Sequence, residues 1–107
     1  MSEIEQGVWL VTAVYQGKLP FKHKLRDNEL AKIIFKSEIT CHIANEDSPR
    51  IFFSIEKENG KRKTISLMPT GNLNIMGIKT EKEAQEFYQT ILKEIQKLCP
   101  RVFNDGN

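Results

Sequence analysis

Side chains suited to recognition alternate with aliphatic residues along several short stretches of the chain. For example, Phe52 and Ser54 alternate with Ile51, Phe53 and Ile55. Successive residues of a strand point to opposite faces of a sheet, so the alternation predicts one core face and one uncovered face. An aromatic ring, two thioethers and several hydroxyl or amide groups favour contact and hydrogen bonding as the chemistry of the uncovered face. We call it the open face, and its predicted members are Thr40, His42, Phe52, Ser54, Glu56, Thr64, Ser66, Met68, Asn74 and Met76.

A catalytic or metal centre is not predicted. The carboxylates are scattered over predicted helix surfaces and turns, and no base stands beside Ser54 or Ser66. Cys41 and His42 are adjacent, but two histidines and two cysteines at unrelated spacings favour structural roles over zinc binding. The glycines at 71 and 77 are separated by a predicted strand and do not form a phosphate-binding loop. We therefore expect a non-enzyme with no cofactor and no metal.

The stretch 69–98 is expected to position the open face. Residues 72–76 alternate polar and aliphatic side chains, which predicts a short strand. A capping box formed by Thr80 and Glu83 then predicts the start of a helix, which Pro100 should end. Because its apolar residues recur every three or four positions, this helix should cover one face of the sheet and leave the open face bare. The apolar stripe consists of Ala84, Phe87, Tyr88, Ile91, Leu92, Ile95 and Leu98.

The rest of the chain predicts further strands and one shorter helix. The predicted elements are a first strand at 8–15, a helix at 25–35 capped by Asp27 or Asn28, and strands at 39–43, 51–56 and 62–68. Asn59-Gly60 predicts a two-residue hairpin turn between the last two of these strands. Hairpin-connected strands, with helices that each carry one apolar stripe, predict an α+β domain whose helices both cover one face of an antiparallel sheet.

Composition indicates one intracellular domain. With 107 residues and 39% hydrophobic content the chain can form one core, which we expect to span 7–101 between flexible tails at 1–6 and 102–107. A net charge of +2 excludes a polycation, so any nucleic-acid footprint must be local. The two cysteines are expected to be thiols. Without a leader or an apolar run of about 18 residues, we expect a protein of the cytoplasm or nucleus with no membrane partner.

Three segments of the chain match a known pattern. They are Lys18-Leu19-Pro20-Phe21, Ser48-Pro49-Arg50-Ile51-Phe52, and Leu67-Met68-Pro69-Thr70-Gly71-Asn72 followed by Ile75-Met76-Gly77-Ile78-Lys79. In this order they resemble one repeat of the TATA-box-binding protein, and the resemblance covers almost all of the domain. It implies a curved antiparallel five-stranded sheet, with one short and one long helix on its convex face, in the order β-α-β-β-β-β-α.

The resemblance also implies a transcription-related module that binds double-stranded DNA. In that family two repeats form a saddle whose concave sheet lies in the minor groove, where phenylalanines wedge between base steps. The implied nucleic-acid-binding residues are the wedges Phe52 and Met68, the groove residues Ser54, Ser66, Asn74 and Met76, and the phosphate contacts Lys61, Arg62 and Lys63. A basic hairpin is more often only a solvated turn.

A single repeat cannot form a saddle alone. The resemblance therefore implies a homodimer or a partner that carries a second repeat, with transcription factors on the convex helices. The first strand, apolar on both faces, is the expected seam. The alternative is a protein-interaction or dimerisation domain of the same fold without DNA binding of its own. In that case Phe52, Met68 and Met76 would form an apolar patch that meets another protein or a second copy.

Overall fold

The secondary structure follows the predicted order, with one additional strand near the start. The computed structural model describes residues 8–11, 14–44, 49–56 and 60–104. Its strands are β1 (Val8–Val11), β2 (Val14–Lys18), β3 (Thr40–Ala44), β4 (Arg50–Glu56), β5 (Arg62–Leu67) and β6 (Asn72–Ile75). Its helices are α1 (Asp27–Lys36) and α2 (Glu81–Leu98), and a 3-10 turn (Pro100–Phe103) follows α2.

The strands form one antiparallel sheet in the order β1-β2-β6-β5-β4-β3. The α+β class, with an antiparallel sheet and two helices, is thereby confirmed. The stretch 8–15, predicted as one strand, instead contributes both β1 and β2, which pair outward from Val11 and Val14. The described sheet therefore has six strands. The sequence of this stretch contains no glycine, proline or asparagine to mark a turn, so its apolar run reads as continuous.

Both helices pack on the face of the sheet opposite the open face. The strand residues that are at most 1% exposed are Ile51, Phe53, Ile65, Leu67, Leu73 and Ile75. They belong to one buried cluster with Ile91 and Ile95 of α2. Leu92, predicted on the same stripe, is only partly buried at the margin of this cluster. The alternation of the strands thus separates a packed face from an uncovered one.

Helix α2 begins where the capping box predicts. Thr80 has an extended backbone (φ −126°, ψ 150°), and its hydroxyl oxygen accepts a hydrogen bond from the Glu83 N–H at 3.2 Å. Glu81 and Glu83 also place negative charge near the positive end of the helix dipole. The helix start at Thr80 is confirmed.

Replacing this cap should have a measurable cost. Thr80→Ala is expected to lower the free energy of unfolding by about 1 kcal/mol, because an N–H group in the first turn loses its acceptor. Urea unfolding followed by circular dichroism measures the difference. Glu86→Ala, at an exposed position of the same helix, is the control and should change stability by less than about 0.5 kcal/mol. Equal losses in both variants would contradict the role of the cap.

Helix α1 is capped differently from the prediction. It begins at Asp27, and the N-cap is Arg26, which has an extended backbone (φ −89°, ψ 167°). The Glu29 carboxylate accepts a hydrogen bond from the Arg26 N–H at 2.8 Å. Asp27 and Asn28, the predicted caps, therefore lie inside the first turn. Because Glu29 satisfies a backbone donor from within the helix, a polar side chain at the N-cap is not required.

A buried carboxylate ties α2 to the segment between α1 and β3. Glu94 is 8% exposed, and its Oε2 accepts hydrogen bonds from the Ser37 hydroxyl at 2.9 Å and the Glu38 N–H at 2.8 Å. Lys97 Nζ lies 3.2 Å from its other oxygen. Burial would raise the pKa of Glu94, but these three hydrogen bonds together outweigh it and hold that pKa below its ordinary value. The group therefore stays ionised at neutral pH.

The register between β4 and β5 corrects the predicted hairpin turn. A two-residue turn at Asn59-Gly60 would pair Glu56 with Lys63, whereas Glu56 pairs with Arg62. Gly60 has a positive φ of 81°, as a turn glycine should, and Asn59 lies outside the described residues. The shift puts Arg62, rather than Lys63, beside Glu56 on the open face.

Packing continues beyond residue 101, where the domain was predicted to end. Val102 is fully buried, and its carbonyl accepts a hydrogen bond from the Lys22 N–H at 2.7 Å. The Phe103 ring meets Phe21 edge-on, with centroids 5.3 Å apart. After Pro100 the helical period stops, so the sequence gives no periodic signal for this turn. Of the predicted tails at 1–6 and 102–107, residues 1–6 and 105–107 lie outside the described residues.

Candidate nucleic-acid interface

One row of opposed residues crosses most of the open face. His42 of β3 is opposite Phe52 of β4, and Phe52 is opposite Ser66 of β5. Ser66 is opposite Asn74 of β6, which is in turn opposite Gln16 of β2. We call these five residues the central row. Opposed side chains on one face have Cβ atoms about 4.5–5.5 Å apart, so three predicted site residues, Phe52, Ser66 and Asn74, are consecutive neighbours.

The aromatic end of the central row is a stacked pair. The rings of His42 and Phe52 have centroids 5.5 Å apart and an interplanar angle of 19°. His42 is exposed and Phe52 is half-buried. The pair forms a flat aromatic surface near the β3 edge of the sheet. His42 was predicted on the open face, but its contact with Phe52 could not be inferred before the register of β3 and β4 was known.

The polar members of the central row differ in their access to a ligand. Ser66 is only 2% exposed, so it fills space between its neighbours and does not present its hydroxyl to a ligand. Asn74 is half-buried, and its Oδ1 accepts a hydrogen bond from Gln16 Nε2 at 3.1 Å. Gln16 was not predicted as a site residue because the apolar run before it prefers neither face.

Two predicted site residues, Arg62 and Ser54, bond to each other. Arg62 Nη1 donates a hydrogen bond to Ser54 Oγ at 3.0 Å, and Arg62 Nη2 lies 3.6 Å from Glu56 Oε1. The ion pair is exposed on both sides, so it contributes little to stability. Arg62 is nevertheless partly neutralised by Glu56 at this corner of the open face.

The other predicted cations lie at the same end of the sheet. Lys63 Nζ donates a hydrogen bond to the Gly77 carbonyl at 2.7 Å, which holds the β5 end against the turn after β6. Lys61 is exposed and precedes β5. Arg62 and Lys63 are therefore both bonded to protein groups.

Two further cations, which sequence reasoning missed, lie at the opposite end of the open face. Lys18 is opposite Asn72, and the Met68 N–H bonds to the Asn72 carbonyl at 2.9 Å. Since Ile51 pairs with Leu67, Arg50 is the next position beside Met68. We call Lys18, Asn72, Met68 and Arg50 the lower row. Both cations fall within segments that carry the sequence resemblance, but only the strand order assigns them to this face.

The two methionines occupy different parts of the open face. Met68 is half-buried in the lower row, diagonal to Phe52, a separation of about 7–8 Å that long side chains can span. Met76 is 36% exposed directly after β6, and its N–H bonds to the Thr64 carbonyl at 3.2 Å. The two predicted wedges, Phe52 and Met68, are thus close neighbours.

Other kinds of site find little support in the described ranges. No group of three or more His, Cys, Asp or Glu side chains there could hold a metal ion. Cys41 and Cys99 are free thiols, and burial raises the pKa of each, so both are weak nucleophiles at neutral pH. None of the helices in the described part of the chain combines the length and apolarity that crossing a membrane requires.

Comparison with known proteins gives no relative: no protein-family model matches the chain, and neither the curated proteins nor the solved structures include a significant match. Function must therefore be inferred from the open face itself.

Proposed function

We propose that this protein is a transcription-related DNA-binding module, similar to one TATA-box-binding-protein repeat, whose open face contacts the minor groove of duplex DNA. The central row carries the proposal. This row lies on an uncovered antiparallel sheet. It contains the neutral hydrogen-bonding pair Gln16 and Asn74 and the half-buried ring of Phe52. Minor-groove proteins use amides to meet base edges and apolar side chains to part base steps.

Phe52 is the proposed wedge. Its neighbours Ile51 and Phe53 are fully buried on the other face, so the ring projects from a strand that the core holds in place. His42 stacks on Phe52, and Met68 lies diagonal to it. Parting a base step costs a few kcal/mol, which wider contact with the bent duplex offsets. A wedge on a rigid strand loses little side-chain entropy on binding.

Phosphate contacts are proposed at both ends of the open face. Lys18 and Arg50 lie in the lower row, and Lys61 lies near the opposite, hairpin end. A groove binder needs cations on both sides of its base contacts, because the two phosphate strands flank the groove. Arg62 is a weaker candidate than these three, since Glu56 lies beside it.

A second copy, or a partner that carries another such repeat, is proposed to complete the DNA-binding surface. The expected seam at 8–15 includes β1 and part of β2. Because β2 lies between β1 and β6, both of its edges are already paired. Among the described strands, β1 is therefore the edge to which a partner on this side can add. The exposed edge of a strand is where another chain extends a sheet most readily.

A protein-interaction function is the second candidate, and one observation favours it. Phe35 of α1 is 84% exposed, on the helical side of the domain. Phenylalanine is one of the residues that are enriched in the buried part of protein–protein interfaces. Transcription factors or other proteins could bind there, whether or not the open face binds DNA.

Two matched variants separate these functions. Phe52→Ala is expected to weaken binding to an AT-rich duplex about ten- to a hundredfold, since one aromatic–base contact contributes about 1–3 kcal/mol, and to abolish bending. Phe35→Ala removes the same ring from the opposite side and should leave both properties unchanged. Mobility shift and bending assays at low salt measure both, and light scattering monitors association.

The outcomes differ clearly for the two functions. Wild-type binding should weaken steeply as salt rises, because phosphate contacts release counterions. If wild type neither binds nor bends any AT-rich duplex at low salt, the DNA function is wrong. If Phe35→Ala then abolishes association with a protein partner, the interaction function is supported.

A further inference from the structure

A small notch lies on the open face between β2 and β6. Its volume is about 250 Å³, which is below the range of about 300–1,000 Å³ that is typical of ligand pockets. The lining residues are Gln16, Gly17, Met68, Asn72, Leu73 and Asn74. Gly17 is opposite Leu73, whose side chain is buried on the other face, so backbone forms much of the floor. The notch has room for one planar ring system rather than a whole nucleotide.

The side chains around the notch are three carboxamides and a thioether, with no ionisable group among them. Gln16 Nε2 donates to Asn74 Oδ1 at 3.1 Å, and Asn72 Nδ2 donates to Thr70 Oγ1 at 3.1 Å. These bonds leave the Gln16 carbonyl oxygen as an acceptor and the Asn74 amide nitrogen as a donor. An uncharged lining disfavours a metal ion, a phosphate or a carboxylate as the occupant.

An uncharged ring with its own donor beside an acceptor fits this lining. Asparagine and glutamine recognise adenine in this way, through its N6 donor and N7 acceptor. Met68 adds a polarisable apolar wall for the ring. Lys18 is exposed at the rim, opposite Asn72, and its Nζ makes a long hydrogen bond of 3.5 Å to the Thr70 carbonyl. It supplies positive charge for the phosphate that a nucleotide in the notch would carry.

We propose that the notch binds one unpaired adenine base of a nucleic-acid strand lying along the open face. The inference rests on the proposed function only in that the same face meets nucleic acid. It adds a preference for one base that contact with the minor groove of a paired duplex does not require. Gln16 and Asn74 read the base, Met68 packs on it, and Lys18 contacts its phosphate.

The test uses the full chain and two single-stranded DNA hexamers. One is six thymidines and the other has a single central deoxyadenosine. The adenine hexamer is expected to bind about tenfold more tightly, because one pair of base-edge hydrogen bonds discriminates by about 1–3 kcal/mol. In ¹⁵N-labelled protein, the side-chain amide signals of Gln16, Asn72 and Asn74 should shift on binding. Equal affinities for the two hexamers would overturn the proposal.

Matched variants test whether Gln16 and Asn74 recognise the adenine base. Gln16→Leu should reduce the preference for adenine to near unity, whereas Gln96→Leu, the same change at an exposed position of α2, should preserve it. Asn74→Leu provides a second test if Gln16→Leu fails to fold. A hexamer with central deoxycytidine that binds as tightly as the adenine hexamer would overturn the assignment to adenine. If the protein binds duplex DNA but does not prefer the adenine hexamer, only the adenine site in the notch is refuted. If it prefers the adenine hexamer but does not bind duplex DNA, only the proposed duplex function is refuted.

Discussion

Ile91→Ala is expected to lower the free energy of unfolding by about 3–4 kcal/mol. Ile91 is 0% exposed in the middle of α2 and belongs to the buried cluster that joins the helix to the sheet. Truncation removes three buried carbon atoms and leaves a cavity that a well-packed core cannot fully close. Urea unfolding at equilibrium, with the slope of the transition compared between proteins, measures the loss.

The neighbouring positions provide controls for this prediction. Leu92 is only partly buried, so Leu92→Ala should cost clearly less, about 1–2 kcal/mol. Lys93 is exposed, and Lys93→Ala should change stability by less than about 0.5 kcal/mol. A loss at Ile91 no greater than that at Leu92 would mean that the helix presents a different face to the sheet.

Gly71→Ala is expected to cost about 2–4 kcal/mol, through strain and a steric clash together. Gly71 has a φ of +103°, and a Cβ there would lie 2.8 Å from the Leu19 carbonyl oxygen. The clash is with backbone, and the Leu19 N–H bonds to the Gly71 carbonyl at 2.8 Å, so the two segments cannot separate freely. The variant should unfold at a lower urea concentration and at a lower temperature than wild type.

Gly60 separates the two contributions. Its φ is +81°, yet among the described residues, its chain neighbours aside, no atom lies within 4 Å of the position where a Cβ would be. Gly60→Ala should therefore show only the strain of a left-handed backbone, about 1–2 kcal/mol. If Gly71→Ala costs no more than Gly60→Ala, the contact with Leu19 does not restrict that position.

The local parts of the fold could be predicted from sequence because local chemistry determines them. The Thr80 cap and the alternation of 72–76 each depend on residues within one turn or one strand. The β1–β2 reversal had no turn residue to reveal it. The burial of Glu94 could not be predicted in this way, because its two donors, the Ser37 hydroxyl and the Glu38 N–H, come from a distant part of the chain.

In the candidate site, too, local features could be predicted from the sequence and contacts between distant segments could not. Alternation along β4, β5 and β6 was sufficient to assign Phe52, Asn74 and their neighbours to one face. It could not show that β2 lies beside β6, and the places of Gln16 and Lys18 depend on that pairing. Strand order is set by the packing of the whole sheet and leaves no mark in a single segment.

The sheet ends in two unlike edge strands, and this limits how copies of the chain can associate. Within the described residues, β1 and β3 each have only one neighbouring strand. If β1 of one molecule paired with β3 of the next, every added copy would present another unpaired β1, and the copies would form a filament unless the rotation between them closed a ring. Pairing of β1 with β1, or of β3 with β3, uses one surface twice and closes at two chains. Pairing between like edges would therefore give a dimer, whereas pairing between unlike edges would give an open or a ring-shaped assembly.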